Sequence, residues 1–96
     1  MAQSPFQNYT VIFSKRADKF LESLDKQDKQ RILQKVRELK TNSKNLDIKK
    51  LKSKHDLYRI RVGNYRIIYS IEHEQIIIYI VAIGHRRDIY QQLNVA

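Results

Sequence analysis

Arg59, Arg61, Arg66, His85, Arg86 and Tyr90 are the residues whose types could do chemistry together. Arginine, one histidine and one tyrosine suffice for metal-independent cleavage of RNA. The ribose 2′-hydroxyl can attack its own phosphate when arginines neutralise the charge of the phosphorane. The same forks align the sugar-phosphate chain for in-line attack. Histidine is the side chain type whose ordinary range straddles neutrality, so His85 is the expected acid or base. Tyr90 could transfer a proton or stack on a base, and an aromatic plug at the sheet's end is an equal reading for it. DNA lacks the 2′-hydroxyl, so this chemistry selects RNA. Other chemistries lack parts. Asp88 is isolated, His55 and His73 stand in polar connections, and no carboxylate or histidine cluster suggests a metal. Two glycines cannot build a phosphate loop, and no plausible triad accompanies a serine.

These residues meet only if the chain between them folds in one way. Leu57 to Val62 alternates, with Tyr58, Ile60 and Val62 on one face and Arg59 and Arg61 on the other. Gly63-Asn64 is a two-residue turn signal, and glycine first suits a type II′ turn. Tyr65 to Ile71 is the return strand, rich in β-branched and aromatic residues. A two-residue loop sets Val62 opposite Tyr65, Arg61 opposite Arg66 and Ile60 opposite Ile67. Like charges directly opposite destabilise a strand pair, so the hairpin reads as the holder of a polyanion, with no structural reason for its three arginines. A second turn at Glu72 to Gln75 sends the apolar run Ile76 to Ile83 back along it. His85 and Arg86 are thereby expected beside Arg66. Tyr90, four residues after Arg86, stacks with it on one helical face.

Upstream, Tyr9 to Phe13 reads as a short strand and Ser14 as an N-cap. Ala17, Phe20, Leu21 and Leu24 then form a helical stripe. Asp25 caps or breaks, and a second helix runs from about Lys26 to Lys40 on Ile32, Leu33, Val36 and Leu39. Lys44 to Asp56 reads as a polar connection anchored by Leu46, Ile48 and Leu51. Ile76 to Ile83 is apolar on both faces, hence a central strand ended by Gly84. The order β-α-α-β-β-β predicts an α+β fold, two helices on one face of a small antiparallel sheet with the other face open. Residues 1–96 form one domain, with 1–8 and 91–96 as loose ends.

Net charge is +9, and residues 41–66 carry eight Lys/Arg against two Asp, so +6 of it is focused there. That focus favours nucleic acid or an acidic protein as partner. Lys50, Lys52, Lys54 and Arg59 are the expected phosphate-binding residues around the catalytic set Arg61, Arg66, Arg86, Tyr90 and His85. There are no cysteines, which fits a reducing cytoplasm. Residues 1–8 lack the apolar core of a signal peptide. The longest apolar run is far short of the roughly 20 residues of a membrane helix.

The run from Leu57 to Tyr69 (LYRIRVGNYRIIY), followed by Ile83 to Tyr90 (IGHRRDIY), resembles the RelE/ParE superfamily of toxins, the ending being closer to the RelE branch. The resemblance spans essentially the whole chain. It implies a RelE-like, microbial-ribonuclease-type fold and the toxin of a type II toxin–antitoxin pair. It implies a ribosome-dependent endoribonuclease cutting mRNA in the A site, with 16S rRNA contacts, no cofactor and an acidic antitoxin that neutralises it. The family's two basic residues of the second strand match Arg59 and Arg61. Its arginine opening the third strand matches Arg66, the arginine after the fourth matches Arg86, and its C-terminal tyrosine matches Tyr90. Arginine is a poor base where RelE carries lysine. The alternative is a ParE-like toxin that binds DNA gyrase without chemistry.

Overall fold

The computed structural model describes residues 5–52 and 56–93. Five strands and three helices follow in the order β1 (Thr10–Phe13), α1 (Lys15–Glu22), α2 (Lys26–Thr41), β2 (Asp47–Lys50), β3 (Tyr58–Val62), β4 (Tyr65–Glu72), β5 (Ile77–His85) and α3 (Ile89–Leu93). They build one mixed sheet in the order β1-β5-β4-β3-β2. The fold is the expected α+β arrangement, with α1 and α2 laid over one face.

Local chemistry accounts for the helices. The Ser14 hydroxyl accepts from the Ala17 amide at 3.1 Å and donates to the Val81 carbonyl at 2.6 Å. One side chain thus starts α1 and ties it to β5. Asp25 caps α2, its carboxylate accepting from the Asp28 amide at 2.8 Å. Ala17 and Leu21 of α1 and Ile32, Val36 and Leu39 of α2 are buried against Ile60, Val62, Ile67, Tyr69, Ile78, Ile80 and Ile83 of the sheet. Each buried aliphatic side chain contributes roughly 1.5–3 kcal/mol of apolar transfer.

The hairpin has the expected register: Val62 faces Tyr65, Arg61 faces Arg66 and Ile60 faces Ile67. Gly63 has φ +58° whereas Asn64 is not in the left-handed region, as a type II′ turn requires.

Several expectations need correction. Residues 47–50 are not part of a connection but an edge strand, antiparallel to β3. The charged sequence Asp-Ile-Lys-Lys hides this because only Ile48 faces the core. The sheet is not wholly antiparallel, since β1 runs parallel to β5. Gly84 does not end the last strand, which continues to His85, while Ile76 lies in the preceding turn with φ +58°. Residues 91–93 are not loose, because α3 includes them and docks on the face read as open. At the other end, Phe6 packs on the core and its ring meets Tyr9 edge-on at 5.2 Å. No described helix is long and apolar enough to cross a membrane.

Candidate active site

Strand alternation decides which side chains share the face opposite α1 and α2. In β3 these are Arg59 and Arg61; in β4, Arg66 and Ile68. In β2 they are Asp47 and Lys49, which pair with Arg61 and Arg59. Toward the C-terminal end of β5, Ala82 and Gly84 share that face, with Gly84 beside Arg66. The face is built into a groove because α3 covers part of it. Ile89 is fully buried with Leu57, Ile68 and Ala82, and Leu51, Val81 and Tyr90 pack around them. A Cβ on Gly84 would lie 3.1 Å from Ile89 Cδ1, so glycine there lets α3 come close. The Arg86 amide donates to the Asn64 carbonyl at 2.9 Å and fastens the segment after β5 to the hairpin turn.

The result is a groove of about 650 Å³ lined by Lys49, Leu51, Arg59, Arg61, Arg66, Arg86, Arg87 and Tyr90. Its floor is buried and bonded, and its rim is exposed. Arg66 is 9% exposed, and its Nη1 donates to the carbonyls of Gly63 at 3.0 Å and Tyr65 at 2.9 Å. The Arg59 side chain is 11% exposed, its Nη2 lying 3.5 Å from Asp47 Oδ1. The Arg61 side chain is 59% exposed, its nearest partner Asp47 Oδ2 at 3.8 Å. The three arginines therefore have structural partners, contrary to the sequence reading. Asp47 stands between two of them, and the turn carbonyls hold the third.

Of the expected catalytic residues, Arg61, Arg66, Arg86 and Tyr90 come together. His85 does not. One residue beyond Gly84, it points to the helical face, where its ring lies 5.1 Å from Tyr65 and 5.8 Å from Phe20. The strand end does reach Arg66, as expected, but alternation turns the next residue to the opposite face. Among the lysines, Lys50 pairs with Asp56 at 3.6 Å, and neither it nor Lys52 lines the groove. Lys54, with His55, lies outside the described residues. Lys49, Asp47 and Arg87 were missed. The first two come to the site through the pairing of β2 with β3, which the charged sequence does not signal. Arg87, read as plain surface, reaches the groove through the turn that leads into α3.

Two tyrosines carry shifted titrations, both on the helical face. The Tyr65 hydroxyl donates to Asp28 Oδ2 at 2.9 Å, and this bond, with burial, raises its pKa. Burial raises that of Tyr69 further. Tyr65 thus ties α2 to the hairpin whose other face holds the arginines. Among the described residues no group of three His, Cys, Asp or Glu is placed to hold a metal ion. The groove is an anion cradle with one phenol at its end. It can hold a phosphodiester and stabilise added negative charge upon it.

Comparison with known proteins gives this cradle a family. The model of the "ParE toxin of type II toxin-antitoxin system, parDE" matches residues 11–90. Toxin RelE3 of Methanocaldococcus jannaschii is 51% identical over 49 residues, a match spanning 51% of this chain and 53% of that protein. RelE1 of the same organism is 31% identical over 86 residues, covering 86% of this chain and 96% of that one. Among solved structures, a chain of the archaeal RelE–RelB complex from Pyrococcus horikoshii OT3 matches with a TM-score of 0.69 and 34% identity. It covers 81% of this chain and 94% of its own. The chain belongs to the RelE/ParE family of toxins of type II toxin–antitoxin systems.

Proposed function

We propose that this toxin is an mRNA endoribonuclease that acts in the ribosomal A site. The observation behind the reading is the convergence of Arg59 and Arg61 from β3, Arg66 from β4, and Arg86 and Tyr90 from the last segment on one groove. The 2′-oxygen attacks the adjacent phosphorus and gives up its proton to solvent water, the bond to the 5′-oxygen breaks, and a 2′,3′-cyclic phosphate and a 5′-hydroxyl result. Arg61 and Arg86 take the non-bridging oxygens as charge builds on them. Arg66, held by the turn carbonyls, supplies fixed positive potential beneath them. With the His85 ring turned to the other face, we assign proton donation to the leaving 5′-oxygen to the Tyr90 hydroxyl.

Little in the groove reads base edges, and sequence-specific RNA recognition rests on stacking and edge contacts. The ribosome therefore delivers and bends the message, with 16S rRNA as a further contact, and the protein works in the cytoplasm. Its neutralising partner is an acidic, partly disordered antitoxin that folds over the basic face. The likeness to a chain of a RelE–RelB complex supports this. Co-expression of the adjoining gene should restore growth.

Single-turnover cleavage on programmed ribosomes tests the assignment. Tyr90→Phe should slow cleavage by roughly 10²–10⁴-fold, the scale of general acid–base catalysis, with His85→Gln near wild type. A near-normal Tyr90→Phe with a poor Tyr90→Ala would reduce Tyr90 to a stacking platform. The gyrase-binding alternative follows the ParE description of the family model. Inhibition of gyrase supercoiling without any loss of mRNA would establish it instead.

A further inference from the structure

A larger concavity lies on the other side of the hairpin. It measures about 1020 Å³ and is lined by α2 and by Arg61, Val62 and Gly63. Gln27, Gln30, Arg31, Gln34, Lys35 and Arg37 supply its helical wall, and no Asp or Glu is among its lining residues. Arg61 lines this concavity and the cleavage groove alike, so the two share a wall near the C-terminal end of β3.

Its two helical arginines have side-chain partners. Gln34 Oε1 accepts from Arg37 Nη2 at 2.8 Å and from Arg37 Nε at 3.3 Å, which fixes the plane of that guanidinium. Arg31 Nη1 lies 3.4 Å from Asp28, and a Cβ on Gly63 would lie 2.9 Å from Arg31 Nη2. The Arg31 fork therefore reaches from α2 over the hairpin turn, at the rim beside Arg61. Pre-set forks lose little rotamer freedom on meeting a phosphate, and planar amides can meet backbone or base edges.

We propose that this α2 groove is a second RNA-binding site, which takes the phosphate backbone of the substrate strand flanking the scissile bond. The inference rests on the nuclease reading of the first groove and extends it. Continuity through Arg61 favours the substrate strand over a separate ligand. A strand leaving the cleavage groove past Arg61 meets Arg31 and then Arg37 on the same path.

The test uses non-cleavable 2′-O-methyl RNA probes of about 4 and about 12 nucleotides, within the range of single-strand site sizes. Binding to the full chain is followed by fluorescence anisotropy across a salt series. The longer probe should bind with the steeper salt dependence. The slope of log K against log salt falls by about 0.7 for each lost single-strand phosphate contact, so R31Q/R37Q should lower it by about 1.4 for the long probe. Both positions are exposed, and thermal melts establish that the variant is folded. Equal slopes for the two probes, or an R31Q/R37Q slope equal to wild type, would overturn the inference. If R31Q/R37Q instead weakens only capture of the acidic antitoxin, the groove is a protein site and the inference falls as well. Failure of the underlying reading has a different signature: R61Q/R86Q would then leave binding of the short probe intact.

Discussion

Arg61 and Arg66 face each other across the hairpin, yet their removal should have unequal consequences for stability. Arg66→Ala deletes a nearly buried guanidinium whose Nη1 donates to two turn carbonyls. Hydrogen bonds to charged groups contribute about 1.5–3 kcal/mol each. Relief of like-charge repulsion returns about 0.2–1 kcal/mol, and water partly re-solvates the carbonyls of an exposed turn. The net loss is about 2–3 kcal/mol. In a domain of this size 1 kcal/mol shifts Tm by about 4–8 °C, so Arg66→Ala should melt on the order of 10–20 °C lower. Arg61→Ala removes only an exposed pair at 3.8 Å, worth about 0–1 kcal/mol, against the same relief of repulsion. Its Tm should stay within about 4 °C of wild type. Thermal denaturation followed by circular dichroism measures both, and both variants should lose cleavage. Equal melting temperatures for the two variants would refute the view that Arg66 is the fixed floor of the groove and Arg61 its exposed rim.

Further outcomes follow from other contacts. Tyr65 and Tyr69 have pKa values raised above the ordinary 10.0, so above pH 10 the unfolded chain ionises first and stability falls. Below pH 10 their contribution is fully present; Tyr69→Phe should flatten the alkaline loss in denaturant titrations above about pH 10, where the unfolded chain ionises first. Gly63→Ala places a side chain at φ +58° and should cost about 1–2 kcal/mol, read as a lower midpoint in urea. Ile89→Ala empties the centre of the small core under α3 and should destabilise by about 2–5 kcal/mol, detected as fast amide exchange in α3 ahead of the sheet. An exchange pattern matching wild type there would show that Ile89 does not dock α3.

What was legible in the sequence is what strict periodicity writes. The two-residue turn at Gly63-Asn64 gave the register that pairs Arg61 with Arg66, and capping chemistry at Ser14 and Asp25 placed both long helices. Strand β2 was not legible, because an edge strand with one core contact, Ile48, shows no apolar alternation to detect. Its loss hid Asp47 and Lys49 and made the arginines look uncompensated. The parallel pairing of β1 with β5 is a long-range choice that four residues of sequence do not encode. His85 was misplaced by one step of alternation. The docking of α3 depends on Gly84 leaving room for Ile89, a steric fit that is visible only in three dimensions.

The most direct test of the central claim is the chemistry of the cut. Purified protein is mixed with ribosomes programmed with end-labelled mRNA, and with an mRNA carrying a single 2′-deoxynucleotide at the scissile position. The account predicts one cut in the A-site codon, a 2′,3′-cyclic phosphate upstream and a 5′-hydroxyl downstream. It also predicts no cut at the deoxy position and no comparable rate without ribosomes. Cleavage of the deoxy-substituted message at the same position, or of naked mRNA at the same rate, would contradict it.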